Sequence, residues 1–187
     1  MSDQDDSAIL VASGEGRSKP TSPTLPKINS CGDIGLKIGR DGTWYYEGSP
    51  IGRKPLVKLF ASVLRREADG YYLVTPVEKV PIEVEDAPFL AVALEVTGEG
   101  EAQTLRFRTN LDDMVEAGPE HRLSFRVEAD GSFTPHVDVR DGLPARLTRS
   151  VYYELVALSA QGTGPAKLEQ GVWSSGTFFV FPATAPV

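Results

Sequence analysis

Large aliphatic residues occupy every second position from residue 34 to residue 38, and this alternation predicts a half-buried strand. Asp41-Gly42 follows, and this dipeptide is typical of a tight turn because glycine readily adopts a positive φ angle. Residues 43–47 are rich in aromatic side chains, as strands commonly are. The pattern therefore predicts a β-hairpin.

After the hairpin, a helical spacing of apolar residues replaces the alternation. The apolar stripe consists of Leu56, Leu59, Phe60, Val63 and Leu64, and this spacing places all five on one side of an amphipathic helix. Pro55 suits the first helical turn, where its missing N–H group costs nothing. We expect the helix to bury this stripe and to end at Asp69-Gly70.

Two further strand pairs follow in the pattern. They comprise residues 71–75 with 80–85, and residues 89–96 with 104–109. The segment 110–118 predicts a short helix instead, because Asn110 suits its N-cap and Gly118 suits the position just beyond its end.

Residues 122–160 resemble residues 33–66 in the order of their elements. Each segment shows an alternating strand, an Asp-Gly turn (Asp130-Gly131 in the second), a second strand and then an amphipathic helix. Ile34 and Leu123 lie 89 positions apart, while Leu59 and Val151 lie 92 apart, so an insertion of three residues reconciles the offsets. Hairpins and helices also recur by chance in α+β proteins, but the shared order favours a duplication.

The fold class expected from these elements is α+β, with two tandem similar halves. Each half is expected to be an antiparallel sheet or partial barrel with one amphipathic helix. We predict a tail over residues 1–30, a first repeat over 31–85 and a second repeat over 86–187. The tail is rich in Ser, Thr and Pro, although its apolar run at 8–12 offers a short helical turn that can dock on the body.

Composition narrows the function classes. The 187 residues carry a net charge of −7, which argues against generic binders of nucleic acid or anionic membranes. The single cysteine, Cys31, excludes an intrachain disulfide. No apolar run approaches the ~20 residues of a membrane helix, and the chain begins with acidic residues rather than the basic ones of a secretory signal. We expect a cytoplasmic protein.

Few residues suggest catalysis or metal binding. Asp112, Asp113 and Glu116 fall within one helical turn and can be read as ligands of a divalent metal, or as acids that favour a helix N-terminus. His136 has no catalytic partner near it in sequence and is expected to be a surface or cross-strand residue. Zinc, calcium and phosphate-loop motifs are absent from the sequence, so we predict no cofactor.

Basic residues precede both predicted helices. Arg53 and Lys54 stand before the first, and Arg140 and Arg146 stand at the equivalent junction of the second. Because helix N-termini also offer free N–H groups to anions, two facing junctions would form a phosphate-binding cleft. The alternative is a solvated basic face. Lys79 is a further candidate for phosphate contact, and Trp44 or Trp173 for stacking on a base, although Trp44 also suits a core position.

Several motifs resemble those of a bacterial family, the domain-of-unknown-function family 1285. They are Cys31-Gly32-Asp33-Ile34, Gly48-Ser49-Pro50-Ile51-Gly52-Arg53, Thr109-Asn110-Leu111-Asp112-Asp113 and Val139-Arg140-Asp141-Gly142-Leu143. The resemblance covers residues 31 to the end. It implies a duplicated α+β core with a second half loosely similar to a pleckstrin-homology barrel. It also implies a ligand at the interface of the halves and a role in signalling, with no established enzyme activity.

Three functions remain as hypotheses. The first is a regulatory protein that binds a small anionic ligand, of nucleotide type, between its halves and acts in signal transduction, with a protein partner in that pathway. The second is a metal-dependent enzyme of phosphoester chemistry that uses Asp112 and Asp113. The third is a scaffold that binds a partner protein through an exposed edge strand.

Overall fold

A computed structural model describes residues 29–30, 34–128, 132–162 and 169–182. The first half of the chain forms one sheet with one helix. The elements are β1 (Asn29–Ser30), β2 (Leu36–Ile38), β3 (Trp44–Tyr46), β4 (Ser49–Pro50), α1 (Lys54–Ser62), β5 (Leu64–Glu67), β6 (Gly70–Val74) and β7 (Glu78–Val84). The strand order is β4-β3-β2-β7-β6-β5. The central strands β2 and β7 run parallel, and β1 also pairs parallel with β7.

The six-stranded sheet of the second half repeats this strand order, but its helix follows the last strand instead of lying within the series. Its elements are β8 (Phe89–Thr97), β9 (Thr104–Thr109), β10 (Met114–Glu116), β11 (Leu123–Val127), β12 (Phe133–Arg140), β13 (Leu143–Leu147) and α2 (Arg149–Ala157). The order is β10-β9-β8-β13-β12-β11, with β8 and β13 parallel at the centre. A small third sheet follows, made of β14 (Ala160–Gln161), β15 (Gln170–Ser174) and β16 (Thr177–Val180).

The predicted architecture of two similar tandem halves is therefore confirmed. Each half joins two three-stranded antiparallel meanders through a parallel central pair. The offsets of 89 and 92 suggest that β2 corresponds to β11. The sheets show a different correspondence, because β2 is a central strand whereas β11 is an edge strand. By strand order, β2–β7 correspond to β8–β13. The apolar pattern identifies a hairpin and a helix, but it does not place them within a sheet.

Helix α1 ends earlier than predicted. It stops at Ser62, and Leu64–Glu67 forms β5, which pairs with β6 across a hairpin at residues 68–69. Leu64 is fully buried opposite Leu73, so cross-strand packing fixes this residue in the sheet. The buried side of α1 is formed by Val57 and Ala61, while Leu59 is 61% exposed.

The predicted helix over residues 110–118 is wrong, because this segment is a turn followed by β10. The Asn110 side chain accepts a hydrogen bond from the Leu90 N–H instead of capping a helix. The Thr109 hydroxyl accepts from the N–H groups of Leu111 and Asp113, which holds the chain in a tight turn. Asp112 takes a positive φ of 68° in that turn, a conformation that no helix contains.

A common core runs through both halves. Its largest fully buried side chains include Trp44 and Ile38 from the first half and Phe89, Phe107 and Leu155 from the second. Within the part of the chain that the structure describes, no helix is long and apolar enough to cross a membrane. The predictions for the tail at 1–28 and for the Asp130-Gly131 turn fall on residues that the structure does not describe.

Candidate functional site

Arg140, predicted to contact phosphate, joins the two halves. Its Nη2 donates a hydrogen bond of 2.8 Å to the carbonyl of Ala61, and its Nη1 lies 3.5 Å from a carboxylate oxygen of Asp113. The carbonyls in the last turn of a helix lack intrahelical partners and carry partial negative charge. Arg140 therefore satisfies the C-terminal end of α1 from across the interface.

Arg146 also joins the halves. Its Nη2 donates a hydrogen bond of 2.7 Å to the carbonyl of Arg40. Its Nε lies 3.0 Å from Oδ2 of Asp86, as an ion pair without the alignment of a hydrogen bond. Asp86 lies between β7 and β8, on the connection between the halves, and its Oδ1 accepts a 2.7 Å hydrogen bond from Arg126. Two arginines of the second half thus hold the connecting segment.

Lys54 forms a salt bridge with a carboxylate of the second half. Lys54 and Lys58 donate hydrogen bonds of 2.9 and 2.8 Å to the two oxygens of Asp112. The Lys58 and then the Lys54 ammonium groups lower the pKa of Asp112 to about 2. Lys54, at the start of the first helix, thus contacts an aspartate of the second half rather than the predicted basic junction at Arg140 and Arg146.

The carboxylates considered as metal ligands have separate partners. Asp113 lies near Arg140, whereas Glu116 accepts a hydrogen bond from the Ser175 hydroxyl and lies 3.6 Å from Arg106. Within the ranges described, no group of three or more His, Cys, Asp or Glu side chains is arranged to hold a metal ion.

The remaining predicted residues lie apart from this interface network. The side chain of Arg53 is exposed and has no hydrogen bond or ion pair with the residues described. Lys79 donates to Glu67 at 2.6 Å and lies 3.9 Å from the centre of the Tyr72 ring. These contacts belong to the first sheet.

The two tryptophans differ in their surroundings. Trp44 is 1% exposed, with its ring 6.2 Å from Phe60, and this burial favours the core interpretation over stacking on a ligand. Trp173 is partly buried in the third sheet, 5.0 Å from Phe178, and its carbonyl accepts a hydrogen bond from Gln103.

A groove lined by arginines, which we call the junction groove, lies where the halves meet. It has a volume of about 330 Å³. Its lining consists of Arg66 from β5 and of Arg122, Ser124, Phe125, Arg126, His136, Asp138, Gly142 and Pro144 from the second half. Three arginines thus face one aspartate. This surplus of positive charge makes the groove a candidate site for an anion.

Two of the three arginines that line the groove have few or no hydrogen bonds to the other residues described. Arg66 donates one 3.3 Å hydrogen bond to the carbonyl of Gly142, on the other half. The Arg122 side chain has no hydrogen bond or ion pair with the residues described. Arg126 keeps Asp86 as a partner. Arg122 lies just before β11 and alternates with Ser124 and Arg126 of that strand, and this alternation is a sequence signal for a basic strand face.

His136 lies at the floor of the junction groove and is 3% exposed. Its Nδ1 is 3.0 Å from the Thr134 carbonyl, and its Nε2 is 3.7 Å from Asp86 without a hydrogen bond. Burial is the main cause that lowers the pKa of His136, the charge of Arg126 lowers it further, and Asp86 opposes both. His136 is thus neutral near pH 7, and the positive charge comes from the arginines.

A larger groove of about 820 Å³ lies along β2 and β7. Its bases Lys37 and Arg40 are matched by the acids Asp41, Glu83 and Glu85. Lys37 pairs with Glu85 at 2.6 Å and with Glu83 at 3.2 Å. This groove therefore has no excess of positive charge for an anionic ligand.

Comparisons with known proteins identify relatives of both halves. Residues 25–87 match the "Domain of unknown function (DUF1285), N-terminal domain", and residues 88–181 match the "Protein of unknown function (DUF1285), C-terminal domain". No curated protein matches the chain.

Two solved structures are similar to the chain. One is a DUF1285 family protein from Silicibacter pomeroyi DSS-3, with 45% identity, a TM-score of 0.76 and 88% of each chain covered. The other is a DUF1285 family protein from Shewanella baltica OS155, with 32% identity and a TM-score of 0.52, covering 66% of this chain and 91% of that one.

Proposed function

Because the chain belongs to the DUF1285 family, whose function is unknown, we propose a function from its own geometry: it is a ligand-binding regulatory protein of signal transduction. Its ligand is a small anion of nucleotide type, bound in the junction groove. The observation that carries the proposal is the convergence of Arg66, Arg122 and Arg126 from two halves on one concave surface.

Guanidinium groups suit this ligand chemistry. Arginine presents a planar fork of N–H donors that matches two oxygens of a phosphate, and it stays charged at every physiological pH. Arg122 has no competing partner among the residues described, so an anion gains its full charge-assisted contact. Arg66 has only one long hydrogen bond, to Gly142, and a cation–π contact 5.6 Å from the centre of the Tyr71 ring.

The size and lining of the groove indicate how a nucleotide would sit. A volume of about 330 Å³ lies near the lower end of ordinary ligand pockets, roughly 300–1,000 Å³, so it accommodates the phosphates better than a whole nucleotide. Phe125 lines the same groove and offers an aromatic surface for a base.

A regulatory role follows from the position of the groove. A ligand that contacts Arg66 and Arg122 together binds both halves at once. It also competes with Asp86 for Arg126, and Asp86 lies on the segment that connects the halves. Ligand binding would therefore change how tightly this connection is held, which is how a small molecule shifts a conformational equilibrium.

The test is a thermal-shift screen with ATP, cyclic dinucleotides and inorganic pyrophosphate on three proteins: wild type, Arg122→Gln and Arg108→Gln. Arg108 is an exposed arginine of β9 outside the groove, so it controls for the loss of one charge. A ligand at 100 times its dissociation constant adds about 2.7 kcal/mol of stability. We expect this gain in wild type and Arg108→Gln, and its loss in Arg122→Gln. Equal gains in all three proteins would overturn the proposal, as would no gain in any.

A further inference from the structure

One ring nitrogen of His136 is buried without a hydrogen-bond partner. The other nitrogen, Nδ1, lies 3.0 Å from the carbonyl of Thr134, and a carbonyl only accepts, so Nδ1 carries the ring proton. In the neutral ring, Nε2 then has a lone pair and no hydrogen. Nε2 makes no hydrogen bond with the residues described. A buried polar atom left unpaired is costly, which makes Nε2 a candidate for a functional role.

The group that faces Nε2 is also an acceptor. Oδ1 of Asp86 lies 3.7 Å from Nε2, and an ionised carboxylate has no hydrogen to donate. Two acceptors cannot bond to each other, so the contact is unfavourable as it stands. A single proton on Nε2 would turn it into a charge-assisted hydrogen bond, whose usual length is about 2.7–2.9 Å. Nε2 and Oδ1 therefore have the components of a proton-binding site.

Arg126 competes with a proton for this site. Its Nη1 donates a hydrogen bond of 2.7 Å to the same Oδ1 of Asp86. Burial lowers the pKa of His136 most, the positive charge of Arg126 lowers it further, and Asp86 raises it. Removal of Arg126 from Asp86 would therefore both relieve a repulsion and release an acceptor for Nε2.

Other charged groups surround the pair, and they come from every element around it. Arg146 of β13 lies 3.0 Å from Oδ2 of Asp86, the oxygen that does not face His136, so it leaves Oδ1 available. The remaining charges at the groove are those of Arg122 beside β11, Asp138 of β12 and Arg66 of β5. Arg126 is thus the cation whose displacement changes the surroundings of Nε2 most directly.

We propose that His136 and Asp86 form a proton-binding site that becomes available when an anion in the junction groove draws Arg126 away from Asp86. This inference rests on the proposed function, because it needs an anion in that groove. A proton from water binds the lone pair of Nε2 and is donated to Oδ1, while the Nδ1 proton stays with the Thr134 carbonyl. An imidazolium thereby replaces the guanidinium as the partner of the Asp86 carboxylate.

Anion binding and proton binding then strengthen each other. Coupling between two sites is reciprocal: if the anion raises the pKa of His136 by about 1, the anion binds about tenfold more tightly below both pKa values than above them. The protein would respond to a given anion concentration more strongly as the pH falls. The junction groove would thus sense pH together with its ligand.

The first experiment tests the proton site without any ligand. The chain has two histidines, so NMR titration of the imidazole signals, with His136→Gln to assign them, gives the pKa of His136. We expect the Nδ1–H tautomer at high pH. Arg126→Met is expected to raise the pKa by about 1 or more. Arg122→Met, which removes a groove arginine without a partner among the residues described, is the control and is expected to raise it less.

The second experiment adds an anion whose charge is constant over the titration. Sodium sulfate is compared with sodium chloride at equal ionic strength. Sulfate is expected to raise the pKa of His136 in the wild type, and to raise it less in Arg122→Gln, where the anion site is weakened. Sulfate is also expected to bind about tenfold more tightly at pH 5 than at pH 8. In His136→Gln this difference is expected to shrink.

The outcomes separate this inference from the proposed function. An Nε2–H tautomer, or the same pKa in wild type and Arg126→Met, overturns the proton site. An equal rise in Arg122→Met, or a rise that persists when Asp86→Asn is added to Arg126→Met, overturns the pairing with Asp86.

A pKa of His136 that sulfate leaves unchanged overturns the coupling. Failure of the proposed function shows elsewhere, as the absence of stabilisation by any nucleotide in the thermal-shift screen. If the variant with Asp86→Asn loses its cooperative thermal transition, the comparison of Arg126→Met with Arg122→Met decides.

Discussion

Arg140 donates a 2.8 Å hydrogen bond to the carbonyl of Ala61, so a side chain of the second half satisfies the end of the helix of the first. This contact connects two elements that lie 79 residues apart in the chain. It shows that the halves are joined by charge-assisted bonds to backbone as well as by the shared apolar core.

Replacing Arg140 by Met tests this role. The methionine keeps an apolar stem beside Phe89 but removes the donors to Ala61 and the charge near Asp113. We expect the free energy of unfolding in urea to fall by roughly 1.5–3 kcal/mol, the range for hydrogen bonds to charged groups. Arg108→Met serves as the control and is expected to change it by less than about 0.5 kcal/mol. Equal stability of the two variants would show that Arg140 is free to serve a ligand.

The two lysines that donate hydrogen bonds to Asp112 lead us to predict a low pKa for its carboxyl group, which NMR can measure. Carbon-13 NMR titration of the Asp112 carboxyl is expected to give a pKa of about 2. Lys58→Met is expected to raise this pKa more than Lys54→Met does, because the hydrogen bond from Lys58 is the larger cause. The double variant is expected to return it towards the ordinary 3.8. An Asp112 that titrates normally in the wild type would contradict the bridging geometry.

His136 predicts a dependence of stability on pH. Its folded-state pKa is lowered by burial, so the unfolded chain takes up a proton at a higher pH than the folded one does. The stabilisation is complete above the unfolded value of about 6.5 and is lost as the pH falls below it. Urea unfolding at pH 7.5 and 5 is expected to show a smaller loss in His136→Gln than in His121→Gln. The same loss in both variants would exclude His136 as the cause.

The close approach of strand β16 to Gly171 leads us to predict that no side chain is tolerated at this position of the third sheet. A Cβ atom at Gly171 would clash with the carbonyl oxygen of Phe179 on the adjacent strand β16. Gly171→Ala must therefore separate the strands, and we expect a loss of about 1–3 kcal/mol in unfolding free energy. Gly52→Ala is the matched control, because a Cβ there meets no atom within 4 Å. Wild-type stability of Gly171→Ala would contradict this strand contact.

The local elements were largely predictable, because alternation and helical spacing are direct consequences of one-sided burial. Strands β2 and β8 lie where these patterns placed them. Residues 110–118 could not be assigned in this way. The Asn110 and Thr109 side chains bond to the backbone there, and such bonds favour turns and helix caps alike.

The candidate site was less predictable, because it depends on contacts between distant elements. Arg66 and Arg122 lie 56 positions apart and meet only through the packing of the two halves. Arg140 and Arg146 were predicted to bind phosphate, since nothing in the sequence shows that the carbonyls of Ala61 and Arg40 accept their hydrogen bonds. The prediction that a ligand binds between the halves remains a proposal with a different set of arginines.

The most direct test of that proposal is isothermal titration of the protein with ATP, followed by the strongest nucleotide of the screen, at two salt concentrations. If the nucleotide binds in the junction groove, we expect saturable binding whose affinity falls as salt screens the charge of the arginines. It also predicts that Arg66→Gln and Arg122→Gln each weaken binding by about 10- to 150-fold, the equivalent of roughly 1.5–3 kcal/mol. Arg53→Gln is expected to bind like wild type, because Arg53 does not line the groove. Wild-type affinity in Arg66→Gln and Arg122→Gln, or weaker binding in Arg53→Gln alone, would contradict the account.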